Sequence, residues 1–136
     1  MVTTLRGIGS ALILAVVLVA CSSPTATSPV SEQEARMMAE KMLTAYNDGD
    51  YAAWSADWSQ TMKNAIDEAA FAAFREQMMA SAGRYEEIES ADSRPGNNRG
   101  VWRWEFTTRF AGGSYEFMIA FAEGSALIEG VNLQPS

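Results

Sequence analysis

The chain reads as an α+β domain, with N-terminal helices packed on a curved antiparallel β-sheet. Two observations predict this. Apolar residues recur at helical spacing between Ala35 and Ala82, and from Val101 onward apolar and polar residues alternate. The period changes near Gly83, so helices precede strands instead of alternating with them, which is α+β order. Length and composition agree: 136 residues, 48% hydrophobic and 20% charged, suit one globular domain with short extras.

Ser31-Glu32-Gln33-Glu34 is a capping box, with Ser31 at the N-cap and Glu34 three residues on. Behind it Ala35, Met38, Met42 and Tyr46 share a helical face with Ala39 and Leu43. Gly49 in "NDGD" ends that helix, because glycine adopts the left-handed conformation cheaply. Asp50 caps a short helix through "YAAWSADW", and Ser59 caps another turn or two through "QTMKNAI". Asp67 opens a helix to about Ala82 whose apolar face is Phe71, Phe74, Met78 and Ala82.

Tyr85 to Ala91 is a strand rich in acids, placed at an edge, and "RPGNNRG" is a turn. From Val101 to Phe110, Trp102, Trp104, Phe106 and Phe110 share one face, opposite Arg103, Glu105, Thr107 and Arg109. Gly112-Gly113 suits a two-residue hairpin turn, after which Tyr115, Phe117, Ile119 and Phe121 form the next apolar face. That turn places Phe110 beside Tyr115, Phe106 beside Ile119, Trp104 beside Phe121 and Arg109 beside Glu116. A turn at Gly124 leads to a last strand near Ala126 to Leu133.

The amino terminus reads differently. Arg6 is followed by an uncharged apolar run up to Cys21, the only cysteine. Its densest part, Ala11 to Ala20, is short for a spanning helix, which needs ~20 apolar residues. Leu18-Val19-Ala20-Cys21 resembles the bacterial lipobox at all four positions. That resemblance implies cleavage between Ala20 and Cys21, a diacylglycerol on the Cys21 sulfur, and an acylated new amino group. Residues 1–20 are then a signal peptide, 21–30 a lipidated cysteine with a flexible Ser/Thr/Pro linker, and 31–136 the domain. The expected location is the cell membrane or outer membrane, facing away from the cytoplasm. The mature chain carries nine basic against 17 acidic side chains, a formal charge of −8.

Charge and composition exclude several functions. A net charge of −7 without a basic patch argues against nucleic acid. The absence of histidine removes Ser-His-Asp and Cys-His catalysis and the commonest zinc ligand. No cofactor or metal is expected. Asp48, Asp50 and Asp57 lack the EF-hand pattern, and the first two stand where helix caps belong.

"AYNDGDYAAWSADWSQTMKNAI", the helix with "FAAFREQM", and Gly-Arg-Tyr leading into a meander resemble nuclear transport factor 2-like, cystatin-like cone domains. The resemblance runs over most of Ala35 to Leu133 and is similar to small bacterial domains of unknown function found on lipoproteins. It implies a cone between helices and sheet that binds small molecules, and a sheet face that forms homodimers. The lining expected here is Tyr46, Trp54, Trp58, Phe74, Met78, Trp104, Phe106, Phe117 and Phe121. Such a lining suits a small apolar ligand; the alternative is that these side chains simply fill the core. Members of the superfamily are acid–base isomerases and dehydratases, but no catalytic set of theirs matches position by position here. A binding module for an apolar ligand or an envelope partner is therefore the leading expectation. An acid–base enzyme using a carboxylate or Tyr, and a self-associating structural module, are the alternatives.

Overall fold

The structure is a computed structural model that describes residues 28–96 and 100–136. The expected processing site, Ala20 and Cys21, lies outside the described residues. Among the described residues four helices, α1 (Glu32–Asp48), α2 (Tyr51–Trp54), α3 (Gln60–Ala65) and α4 (Glu68–Ser81), precede four strands, β1 (Tyr85–Pro95), β2 (Val101–Phe110), β3 (Gly113–Ala122) and β4 (Ile128–Pro135). The strands form one antiparallel sheet in the order β1-β2-β3-β4. This is the α+β arrangement that the period change predicts.

Every one of these helices starts on a residue that can accept from its free N–H groups. Ser31 Oγ accepts from the Glu34 N–H at 3.2 Å, and the Glu34 carboxylate accepts from the Ser31 N–H at 2.8 Å. Asp50, Ser59 and Asp67 cap α2, α3 and α4 by accepting from Ala53, Met62 and Ala70. Gly49 closes α1 at φ 70, in the left-handed region. The face of α1 against the sheet is Ala35, Ala39, Met42, Leu43, Ala45 and Tyr46, all buried. Each large apolar side chain among them contributes about 1.5–3 kcal/mol by leaving water.

Helix α2 is shorter than the sequence pattern suggests. After Trp54 the backbone leaves the helix to pair with β4: Ile128 N–H donates to the Asp57 carbonyl at 2.8 Å, and Ser59 N–H donates to the Ile128 carbonyl at 3.0 Å. Trp58 enters the core on this segment, 2% exposed.

Strand β1 runs four residues beyond the expected Ala91, because Asp92 to Pro95 continue to pair with Glu105 to Trp102. Arg94 and Arg103 stand opposite one another there, and both engage Glu105.

The β2–β3 register is offset by two residues from the expected one. The turn is Ala111-Gly112, so Phe110 faces Gly113, Phe106 faces Phe117, Trp104 faces Ile119 and Trp102 faces Phe121. Arg109 therefore faces Ser114, not Glu116, and its guanidinium pairs with Glu86 at 2.7 Å and Glu87 at 2.8 Å. An offset of two keeps every side chain on its expected face. Tertiary contact selects this turn. Gly112 N–H donates to the Ala82 carbonyl and Ala111 N–H to the Arg84 carbonyl, docking the hairpin on the end of α4.

Ser28 to Val30 belong to the packed part, although the linker is expected to extend through residue 30. Val30 is 4% exposed, and Trp104 Nε1–H donates to Ser28 Oγ at 2.9 Å. The core lies between helices and sheet, centred on Tyr46, Phe106, Phe110, Phe117 and Phe121.

Candidate functional site

At the β4 edge of the sheet the core opens into a groove of about 270 Å³. One wall comes from the helices: Trp54 of α2, Trp58 after it, Ile66, and Phe71 and Phe74 of α4. The other comes from Phe117 of β3 and Val131, Asn132 and Leu133 of β4. Trp54 is the hub of the aromatic wall, with ring centroids 5.2 Å from Phe71, 5.8 Å from Phe74, 6.1 Å from Trp58 and 6.3 Å from Phe117. Tilted and edge-on rings at these distances make favourable aromatic contacts, each worth about 0.5–1.5 kcal/mol beyond burial. Trp54, Trp58, Phe71 and Phe117 are nearly fully buried, whereas Ile66, Phe74, Val131 and Leu133 are half-buried and form the mouth.

Among the described residues no titratable side chain lines this groove. Asn132 borders it through its strand, its side-chain amide turning to the other face to donate to Gln134 at 3.4 Å, and the buried Trp58 indole N–H has no hydrogen-bond partner among the described residues. The nearby Tyr51 hydroxyl is committed, donating to the Ile66 carbonyl at 2.6 Å.

Of the nine lining residues expected from sequence, Trp54, Trp58, Phe74 and Phe117 border the groove. Tyr46, Phe106 and Phe121 are completely buried, Trp104 is nearly so, and Met78 packs half-buried against the core. The Tyr46 hydroxyl donates to the Gly83 carbonyl at 2.8 Å, and burial raises its pKa. The lining expected from sequence omits Ile66, Phe71 and the β4 residues. Alternation marks Val131 and Leu133 as sharing a face. The irregularity in β3–β4 pairing beside Glu129 hides which face that is.

Comparison with known proteins bears on the fold. No family model matches the chain, and no curated protein matches it. Among solved structures it is similar to the NMR structure of a protein from Ruminococcus gnavus ATCC 29149, with a TM-score of 0.60 at 8% identity. The likeness covers 78% of this chain and 93% of that one. At that identity it shows a shared fold and nothing about activity.

Elsewhere the polar groups are largely occupied by one another. Asp50 caps α2, and Asp57 pairs with Lys41 at 2.9 Å. Among the described residues no group of three or more His, Cys, Asp or Glu is placed to hold a metal ion. On the outer sheet face Glu105 is shared by Arg94 and Arg103, and Arg109 gathers Glu86 and Glu87. A second, more polar depression, between Gly49 and α4, contains Arg75, Glu68 and Glu76. There Arg75 donates to the Tyr46 carbonyl at 2.6 Å and to the Asn47 carbonyl at 2.8 Å, at the end of α1.

Proposed function

We propose that this protein is a lipid-anchored cell-envelope domain of the nuclear transport factor 2-like type. Its groove binds an apolar group, carried by a small molecule or by an envelope partner. The observation that supports binding is the groove itself: aromatic, open at one side, and half-buried at its mouth. Acid–base chemistry requires a titratable group within hydrogen-bond reach of the substrate, and the described residues of this lining include none. Self-association through the outer sheet face has less in its favour, because the charges there already neutralise one another.

Titration with the neutral, apolar fluorophore N-phenyl-naphthylamine tests the groove. Saturable emission enhancement, with quenching of Trp54 and Trp58, is expected. It should weaken about tenfold in Leu133→Glu, which places a charge at the mouth. Unchanged binding by that variant refutes the assignment. Anchoring rests on the lipobox and is tested separately: Cys21→Ser should abolish palmitate incorporation and release the protein from membranes.

A further inference from the structure

We infer that the groove's partner is an extended peptide that adds as a fifth strand to the free edge of β4 and places one apolar side chain in the groove, between the Trp54–Phe74 wall and β4. This rests on the reading of the groove as a binding site and specifies its occupant.

The backbone carries the first part. Phe110 and Gly113 flank the β2–β3 turn, so Gly113 directs its backbone groups toward β2. By alternation Ser114, Glu116 and Met118 direct theirs toward β4, and the Ser136 N–H donating to the Ser114 carbonyl at 3.2 Å agrees. Asn132 and Gln134 therefore pair with β3, whereas Val131 and Leu133 turn their N–H and C=O groups outward. Those groups have no protein partner among the described residues. Farther up the same edge, Ile128 already pairs with a backbone from its own chain, at Asp57 and Ser59.

The two sheet edges also differ. β1 is defended as edge strands usually are, by two register irregularities, by Glu86, Glu87, Glu89 and Asp92, and by Pro95. From Gly130 to Gln134, β4 has no charge, no proline and a regular register. The residues with outward backbone groups, Val131 and Leu133, are also the ones whose side chains line the groove, so backbone pairing and side-chain insertion coincide. This is the geometry of strand addition, in which main-chain bonds give affinity and a pocket selects the side chain. A volume of about 270 Å³ lies below the usual range for whole ligands, roughly 300–1,000 Å³, and suits one inserted side chain. Asp67 and Glu68 directly follow Ile66 of the mouth, and Glu129 sits on β4, against a single Lys63, so the preferred peptide carries basic ends.

The probes are nine-residue peptides of alternating threonine and apolar residues, with a lysine at each end and Val, Leu, Phe or Trp at the centre. Each is titrated into the full chain alongside N-phenyl-naphthylamine. At least one should displace the fluorophore and slow amide exchange at Val131 and Leu133 about tenfold. N-methylation of its edge-facing amides should weaken binding about tenfold, since side chains stay and donors go. Equal binding by the N-methylated peptide, or no protection of those amides, overturns strand addition while leaving the groove reading intact. Fluorophore binding with no peptide binding does the same. If neither binds, the groove reading falls and the inference with it. Concentration-dependent dimers protecting the same amides without peptide would assign the edge to a second copy and refute the proposal.

Discussion

Arg75 supplies a cation at the end of α1, whose own last turn has no basic residue. Its guanidinium donates to the Asn47 carbonyl and to the Tyr46 carbonyl, whose backbone donor is the Gly49 N–H at a long 3.4 Å, and its charge opposes the negative end of the helix dipole. Arg75→Met keeps most of the packing volume and loses those bonds. It is expected to lower stability by about 1–3 kcal/mol, read as a lower urea midpoint with unchanged slope. Ser31, Asp50, Ser59 and Asp67 are legible as caps in sequence because each accepts from an N–H three residues away. Arg75 is not, because its acceptors lie 28 and 29 positions back. Tyr85 gives a pH prediction at the same scale. Burial, and then the Glu40 carboxylate, raise its pKa from 10.0 to about 12. Below pH 10 both folded and unfolded chains keep the proton. Between about 10 and 12 the unfolded chain releases a proton that the folded chain retains, so stability falls as pH rises through that window. Tyr46 shifts in the same direction, by burial first. Chemical denaturation across pH 9–12 should show a shallower loss in Tyr85→Phe.

For whole elements, the strands are legible from alternation, but their register is not. Gly112 and Gly113 each suit a turn, and the two possible turns differ by two residues in pairing while leaving the same faces inward. A contact outside the hairpin decides between them. A Cβ on Gly112 would stand 2.9 Å from the Ala82 carbonyl oxygen and 3.1 Å from that of Ser81, whereas one on Gly113 meets nothing within 4 Å. Glycine at 112 thus lets the hairpin tip approach the end of α4 and donate its backbone bond there. Gly112→Ala should cost about 1–3 kcal/mol through forced displacement of that contact, measurable as a lower thermal midpoint. Undiminished stability would show that the α4 end does not constrain the turn.

Across the whole molecule, the aromatic wall of the groove is readable because Trp54 and Phe74 sit in helices with an evident period and Trp58 follows Trp54 at helical spacing in the sequence, although it lies past the helix end. The β4 wall is not, and neither is the limit of the fold at its amino end. "SSPTATSPV" has the composition of a tether, yet its last three residues pack: Val30 is buried, and Ser28 accepts from Trp104 on β2. Composition alone misses this because the partner indole lies 76 positions away. Comparing a chain that begins at residue 28 with one that begins at residue 31 tests the boundary. The shorter chain loses the burial of Val30, about 1.5–3 kcal/mol, and one hydrogen bond, about 1 kcal/mol. It should therefore unfold at a distinctly lower urea concentration with a nearly unchanged slope, since little surface is removed. Matching midpoints would return residues 28–30 to the tether. The outcome also fixes the reach of the proposed anchor. With packing from Ser28, only the seven residues Cys21 to Thr27 separate lipid from fold, and at ~3.6 Å each they span at most about 25 Å. A partner peptide on β4 must then come from within that distance plus the width of the domain, which favours partners anchored in the same membrane leaflet.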